Sequence, residues 1–125
     1  MKEIRILRLT RHEAGEEQVA ELRRIFGDNS IIVETSETLP NNTREAVARF
    51  DAIAAEAEVV EAVLPVNLLE SILKFSNFTK NGGTLIRVQG MKRIVSEDGS
   101  ATFIFEPDES FYEVVRSVEI VTERL

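Results

Sequence analysis

A chain of 125 residues, 43% hydrophobic and 30% charged, has the length of one ordinary domain and the balance of a folded one. The absence of cysteine excludes disulfides and thiolate metal sites, and a net charge of −7 argues against the broad basic surface that long nucleic acids need. No apolar run approaches the roughly 18 residues of a membrane span, and the opening Met-Lys-Glu-Ile-Arg lacks a signal-peptide core, so a cytoplasmic protein without a membrane partner is expected.

Residues 3–10 concentrate Ile4, Ile6, Leu7 and Leu9 in a short run expected to form a buried strand. From 13 to 26 the apolar residues Ala14, Val19, Leu22, Ile25 and Phe26 fall on one helical face, and Gly27 supplies the stop. At the junction, Thr10-x-x-Glu13 has the spacing of a capping box for that helix. "SIIVETS" (30–36) reads as a second strand and "ETLPNN" (37–42) as turn chemistry.

Asn42, with Glu45 three residues on, is placed to cap a second helix whose buried stripe is Ala46, Val47, Phe50, Ile53 and Ala54. "AEVVEAVLP" (57–65) is a third strand, ended by Pro65, which suits the first turn of a helix carrying Leu68, Leu69, Ile72, Leu73 and Phe75. "KNGG" (80–83) stops that helix. "TLIRVQ" (84–89) is a fourth strand, Asp98-Gly99 marks a hairpin, and "ATFIFEP" (101–107) a fifth strand. The segment 109–116 reads as a helical turn or an extended connection, and the tail 117–125 as a sixth strand.

Three consecutive strand–helix units followed by strands predict a single Rossmann-like α/β domain over 1–125. It is a three-layer sandwich whose mostly parallel sheet ends in antiparallel C-terminal strands. The expected core takes Ile6, Leu7, Val33, Val59, Val60 and Ile86 from strands and Phe50, Leu69 and Ile72 from helices.

Open sheets of this kind bind ligands beyond the carboxyl ends of the strands, where strand order reverses. With order 2-1-3-4 the reversal falls between strands one and three, which end in Thr10-Arg11-His12 and Leu64-Pro65-Val66-Asn67. Both lead into helix N-termini, whose unpaired N–H groups favour anions. Thr35 and Ser36 end strand two on the same edge. Each of these residues also has a plain structural role: Thr10 as a cap, Pro65 as a strand end, Arg11, His12 and Asn67 as solvated first-turn residues, Thr35 and Ser36 as a lead into the turn.

Other chemistries lack their residues. There is no G-x-G-x-x-G after the first strand and no G-x-x-x-x-G-K-[ST], so no nucleotide cofactor is signalled. One histidine and no cysteine rule out a His-rich or thiolate metal site within one chain, and Asp28, Asp51, Asp98 and Asp108 fall in helices or turns. The same absence of a strand-end aspartate counts against a receiver-like signalling domain.

The short first strand, the polar and basic junction, the Glu-rich first helix "EAGEEQVAELRRIFG" and the third strand ending in "VLPVNLLESIL" resemble the small CRISPR-associated ring nucleases of antiviral defence. That resemblance implies a homodimer that binds a cyclic oligoadenylate on its two-fold axis and cleaves it without metal or cofactor. It implies attack of a ribose 2′-OH on the neighbouring phosphate, leaving a 2′,3′-cyclic phosphate. Arg11 and His12 would be catalytic, Arg11 neutralising phosphate charge and His12 acting as acid or hydrogen-bond donor. Thr10, Thr35, Ser36, Pro65 and Asn67 would contact the ligand. The alternative is a non-catalytic binding or interaction module on the same fold.

Overall fold

The computed structural model describes residues 3–10 and 12–116. In chain order they form β1 (Arg5–Leu9), α1 (Glu16–Phe26), β2 (Ile31–Thr35), α2 (Thr43–Ile53), β3 (Val59–Ala62), α3 (Val66–Phe75), α4 (Asn77–Lys80), β4 (Thr84–Gln89), β5 (Lys92–Val95), β6 (Ala101–Ile104) and β7 (Phe111–Val114). The main sheet has the order β2-β1-β3-β4-β7, with the first four strands parallel and β7 antiparallel to β4. This is a Rossmann-like α/β sandwich, and it adopts the 2-1-3-4 order considered from the sequence, with the reversal between β1 and β3.

Alternation along the strands divides the side chains between two layers. Leu7, Leu9, Val60, Ala62 and Leu85 join Phe50, Ala54, Leu69, Ile72 and Phe78 on the face covered by α2, α3 and α4. Ile6, Val59 and Ile86 meet Leu22 of α1 on the other. Of the expected core residues only Val33 departs, at 38% exposed. It sits on β2, the sheet's edge strand, so a neighbour is missing on one side.

Helix α1 begins later than expected. Its N-cap is Gly15, with no side-chain cap, and the capping box of Thr10 and Glu13 does not form. Thr10 Oγ1 instead accepts from the His12 N–H at 3.0 Å, a two-residue turn that competes with capping. Residues 12–15 therefore precede the helix as a loop. On α1 the buried side chains are Leu22 and Gln18, while Ile25 is 42% exposed. Asn42 does cap α2, its Oδ1 accepting from Glu45 N at 3.1 Å. Pro65 is the N-cap of α3, its carbonyl accepting from Leu68 and Leu69. Phe75 at the end of α3 is 63% exposed, outside the expected stripe.

Helix α3 ends at Phe75, before the stop expected at 80–83, and a short helix missed in the sequence, α4, follows at once. Ser76 caps it through Thr79 N, and Asp51 of α2 accepts from the Asn77 and Phe78 N–H groups. The Asp98-Gly99 hairpin forms, but β5 and β6 make a separate two-stranded sheet instead of extending the main one. The reason lies at Gly90, which leaves β4 with φ 75° and turns the chain away. The Ser110 hydroxyl donates to the Gly90 carbonyl at 2.9 Å and ties the base of the hairpin. The chain then returns as β7, so 111–114 is strand and supplies the antiparallel edge. The expected sixth strand, 117–125, lies outside the described residues.

Candidate functional site

At the carboxyl ends of β1, β2 and β3 there is an open cleft of about 460 Å³. Its walls are the β1–α1 loop (Thr10, His12), the β2–α2 loop (Ser36 to Leu39, and Asn41) and the β3–α3 junction (Val63, Leu64, Pro65), with Leu9 and Leu68 at the base. Thus Thr10, His12, Ser36 and Pro65 come together. Thr35 accepts from Glu37 N at 3.3 Å and lies outside the lining, as does Asn67, an exposed residue whose carbonyl accepts from Ser71. Arg11 lies outside the described residues.

The electrostatics of the cleft are mixed. No side chain caps the first turn of α3 and no acidic residue lies in it, so its leading N–H groups open beside Pro65. Glu37, the one carboxylate of the lining, is paired with Arg49 at 2.7 Å. The imidazole of His12 rests on the ring of Phe103 from β6, with centroids 5.2 Å apart and planes at 56°. Among the described residues no group of three or more His, Asp or Glu could hold a metal ion, and no helix is long and apolar enough to cross a membrane.

Directly behind the β1–α1 loop lies a polar row that sequence reasoning missed. The sheet register places Glu34, Arg8 and Glu61 side by side on β2, β1 and β3. Arg8 and Glu61 are buried, with side chains 3% and 1% exposed. The Arg8 guanidinium forks onto Glu61, Nε to Oε1 at 2.9 Å and Nη2 to Oε2 at 3.3 Å. Its Nη1 donates to both Glu34 oxygens, at 2.8 and 2.9 Å, and to the His12 carbonyl at 3.0 Å.

Two further side chains complete the network. The Tyr112 hydroxyl donates to Glu61 Oε1 at 2.8 Å, and Gln18 Nε2 donates to the Tyr112 oxygen at 2.6 Å and to Glu61 Oε2 at 3.3 Å. Among the described residues no buried side-chain nitrogen or oxygen lacks a partner. Burial works against the Arg8 charge, but hydrogen bonds and attraction from Glu61 and then Glu34 outweigh it and hold its pKa above the ordinary arginine value. The Tyr112 phenol is pushed well above its ordinary range by burial first, then by the charge of Glu61.

A signal for this row was present. Each of the first three strands carries a charged residue inside its apolar run, Arg8 in "RILRL", Glu34 in "IIVET" and Glu61 in "VVEA". A buried strand tolerates such a residue only when a partner meets it. No protein-family model, curated protein or solved structure matches the chain.

Proposed function

We propose that this chain binds a cyclic oligoadenylate in the cleft at the β1/β3 edge, as a homodimer, and opens the ring without a metal. The observation that carries the reading is the convergence of Thr10, His12, Ser36 and Pro65 on one cleft beside the uncapped start of α3. Hydroxyls, an imidazole and backbone N–H groups are the donors that a phosphodiester accepts. In the reaction a ribose 2′-oxygen attacks the adjacent phosphorus and the bond to the 5′-oxygen breaks. The 2′-hydroxyl proton passes to solvent water, and the 5′-oxygen gains one as it leaves. On this reading His12 donates that proton, while Arg11, its neighbour in the chain, offsets phosphate charge. Catalysis of this kind rests on positioning and charge stabilisation. A cleft this open presents half of the surface that a cyclic oligonucleotide needs, and a second copy supplies the other half.

One observation favours the non-catalytic reading. The described lining holds two titratable side chains, His12 and Glu37, and Glu37 is engaged by Arg49, so no paired acid and base faces the cleft. The test separates binding from turnover. The chain is incubated with cyclic tetra- and hexa-adenylate, affinity is measured by titration calorimetry, and products are resolved by chromatography. On the catalytic reading His12→Ala retains binding and loses about 10²-fold or more in cleavage, and Arg11→Ala weakens binding. Binding without cleavage by the unmodified chain establishes the non-catalytic module. A stable monomer by light scattering, with no affinity for any ring, overturns the proposal.

A further inference from the structure

A sheet needs no ions at the level of Arg8. A well-packed apolar triad across β2, β1 and β3 would stabilise the strands as well, because taking charges out of water costs as much as their pairing returns. What the ions add is reach beyond the sheet. Arg8 Nη1 extends past Glu61 to the His12 carbonyl at 3.0 Å, and Glu34 Oε1 accepts the Ala14 N–H at 3.3 Å. The loop that replaces the first turn of α1 is therefore held at two backbone points by side chains that do not line the cleft. Glu61 in turn fixes Arg8, and is itself fixed by Tyr112 and Gln18. At the first of these anchors His12 borders the cleft, and its ring rests on Phe103.

We propose that Arg8 and Glu34 are positioning residues for His12: they set the β1–α1 loop, and through it the imidazole, without touching ligand. The proposal rests on the reading of His12 as a ligand-facing group, but its structural half can be tested apart from that. His12 is the only histidine, so its ring protons give unambiguous NMR signals, and the ring of Phe103 displaces them. Phe103→Leu defines how far those signals travel when the stacking is lost. Glu34 stands on the edge strand with its side chain 39% exposed, so Glu34→Gln leaves no buried charge unpaired and keeps the fold. Arg8→Lys, which retains the charge and loses the fork, is the second variant.

The expected result for Glu34→Gln is an amide spectrum unchanged away from residues 10–15, with His12 ring signals shifted toward their Phe103→Leu positions. Affinity for the cyclic oligoadenylate, or its cleavage, should fall by about 10-fold or more, as misplacement of a contacting group does. Glu34→Asp, which keeps the carboxylate, should restore part of both. If His12 signals stay in place in folded Glu34→Gln and Arg8→Lys chains, the positioning role is overturned. Signals that move in a chain that binds no cyclic oligoadenylate support the positioning role and overturn the ligand reading alone.

Discussion

Arg8 on β1 and Glu61 on β3 stand opposite each other in register, Nε to Oε1 at 2.9 Å, in the best-buried ion pair among the described residues. Removing one partner leaves a charge with neither water nor counter-ion. Arg8→Met should therefore destabilise the fold by about 3–5 kcal/mol. The double variant Arg8→Met/Glu61→Leu should lose clearly less than the two single losses combined. Denaturant unfolding of the four chains in a double-mutant cycle measures the coupling. Additive losses would show that the pair is not the unit described above.

Tyr112, the only tyrosine, gives the network a pH signature. Its phenol is held above the ordinary value by burial first and by Glu61 second. A group raised in the folded state contributes its full stability below the unfolded pKa, about 10 for tyrosine, and loses it as pH rises. Above that pH the unfolded chain releases the proton while the native chain keeps it, so the sign is a loss of stability with alkali. The slope should reach up to about 1.4 kcal/mol per pH unit. Tyr112→Phe should flatten this slope relative to the parent, read from melts across the alkaline range with phenolate absorbance as the check.

Two hydroxyl and amide positions that look alike in sequence should behave differently. Asn42 caps α2 through Glu45 N, so Asn42→Ala should cost about 1 kcal/mol. Thr10 accepts from His12 N in an exposed turn and caps nothing, so Thr10→Ala should stay within about 0.5 kcal/mol of the parent. Equal losses in thermal melts would restore the capping role to Thr10.

Gly90 joins β4 to the hairpin at φ 75°, and a Cβ there would lie 2.5 Å from the Glu109 carbonyl oxygen. Both the backbone conformation and the contact resist a side chain. Gly90→Ala should destabilise by about 1–3 kcal/mol and raise amide exchange first in β5, β6 and β7. Unchanged exchange in that region would mean that the hairpin is held by something other than its base.

Much of the architecture was readable from residue order because local chemistry and burial agree there. The run Ile4 to Leu9 and the stripe Ala46-Phe50-Ala54 each demand one element, and the order β2-β1-β3-β4 is one of the few that right-handed crossovers allow. Asn42 was readable as a cap because its partner is three residues away. The carboxyl edge as the place of a cleft followed from the order alone, and Thr10, His12, Ser36 and Pro65 meet there.

What residue order could not decide were the contacts made across the fold. Val33 has the apolar character of a core residue, but an edge position leaves it half-covered. Thr10 and Glu13 have the spacing of a cap, yet Arg8 and Glu34 hold the loop backbone in another course, and the helix waits for Gly15. The hairpin residues alternate as strands of the main sheet would, and only the turn at Gly90 sends them into a sheet of their own. The charges of Glu34, Arg8 and Glu61 lie far apart along the chain, and parallel pairing makes them neighbours. Residue order determines which groups would be costly to bury alone; tertiary register decides which of them meet, and so whether burial is tolerated.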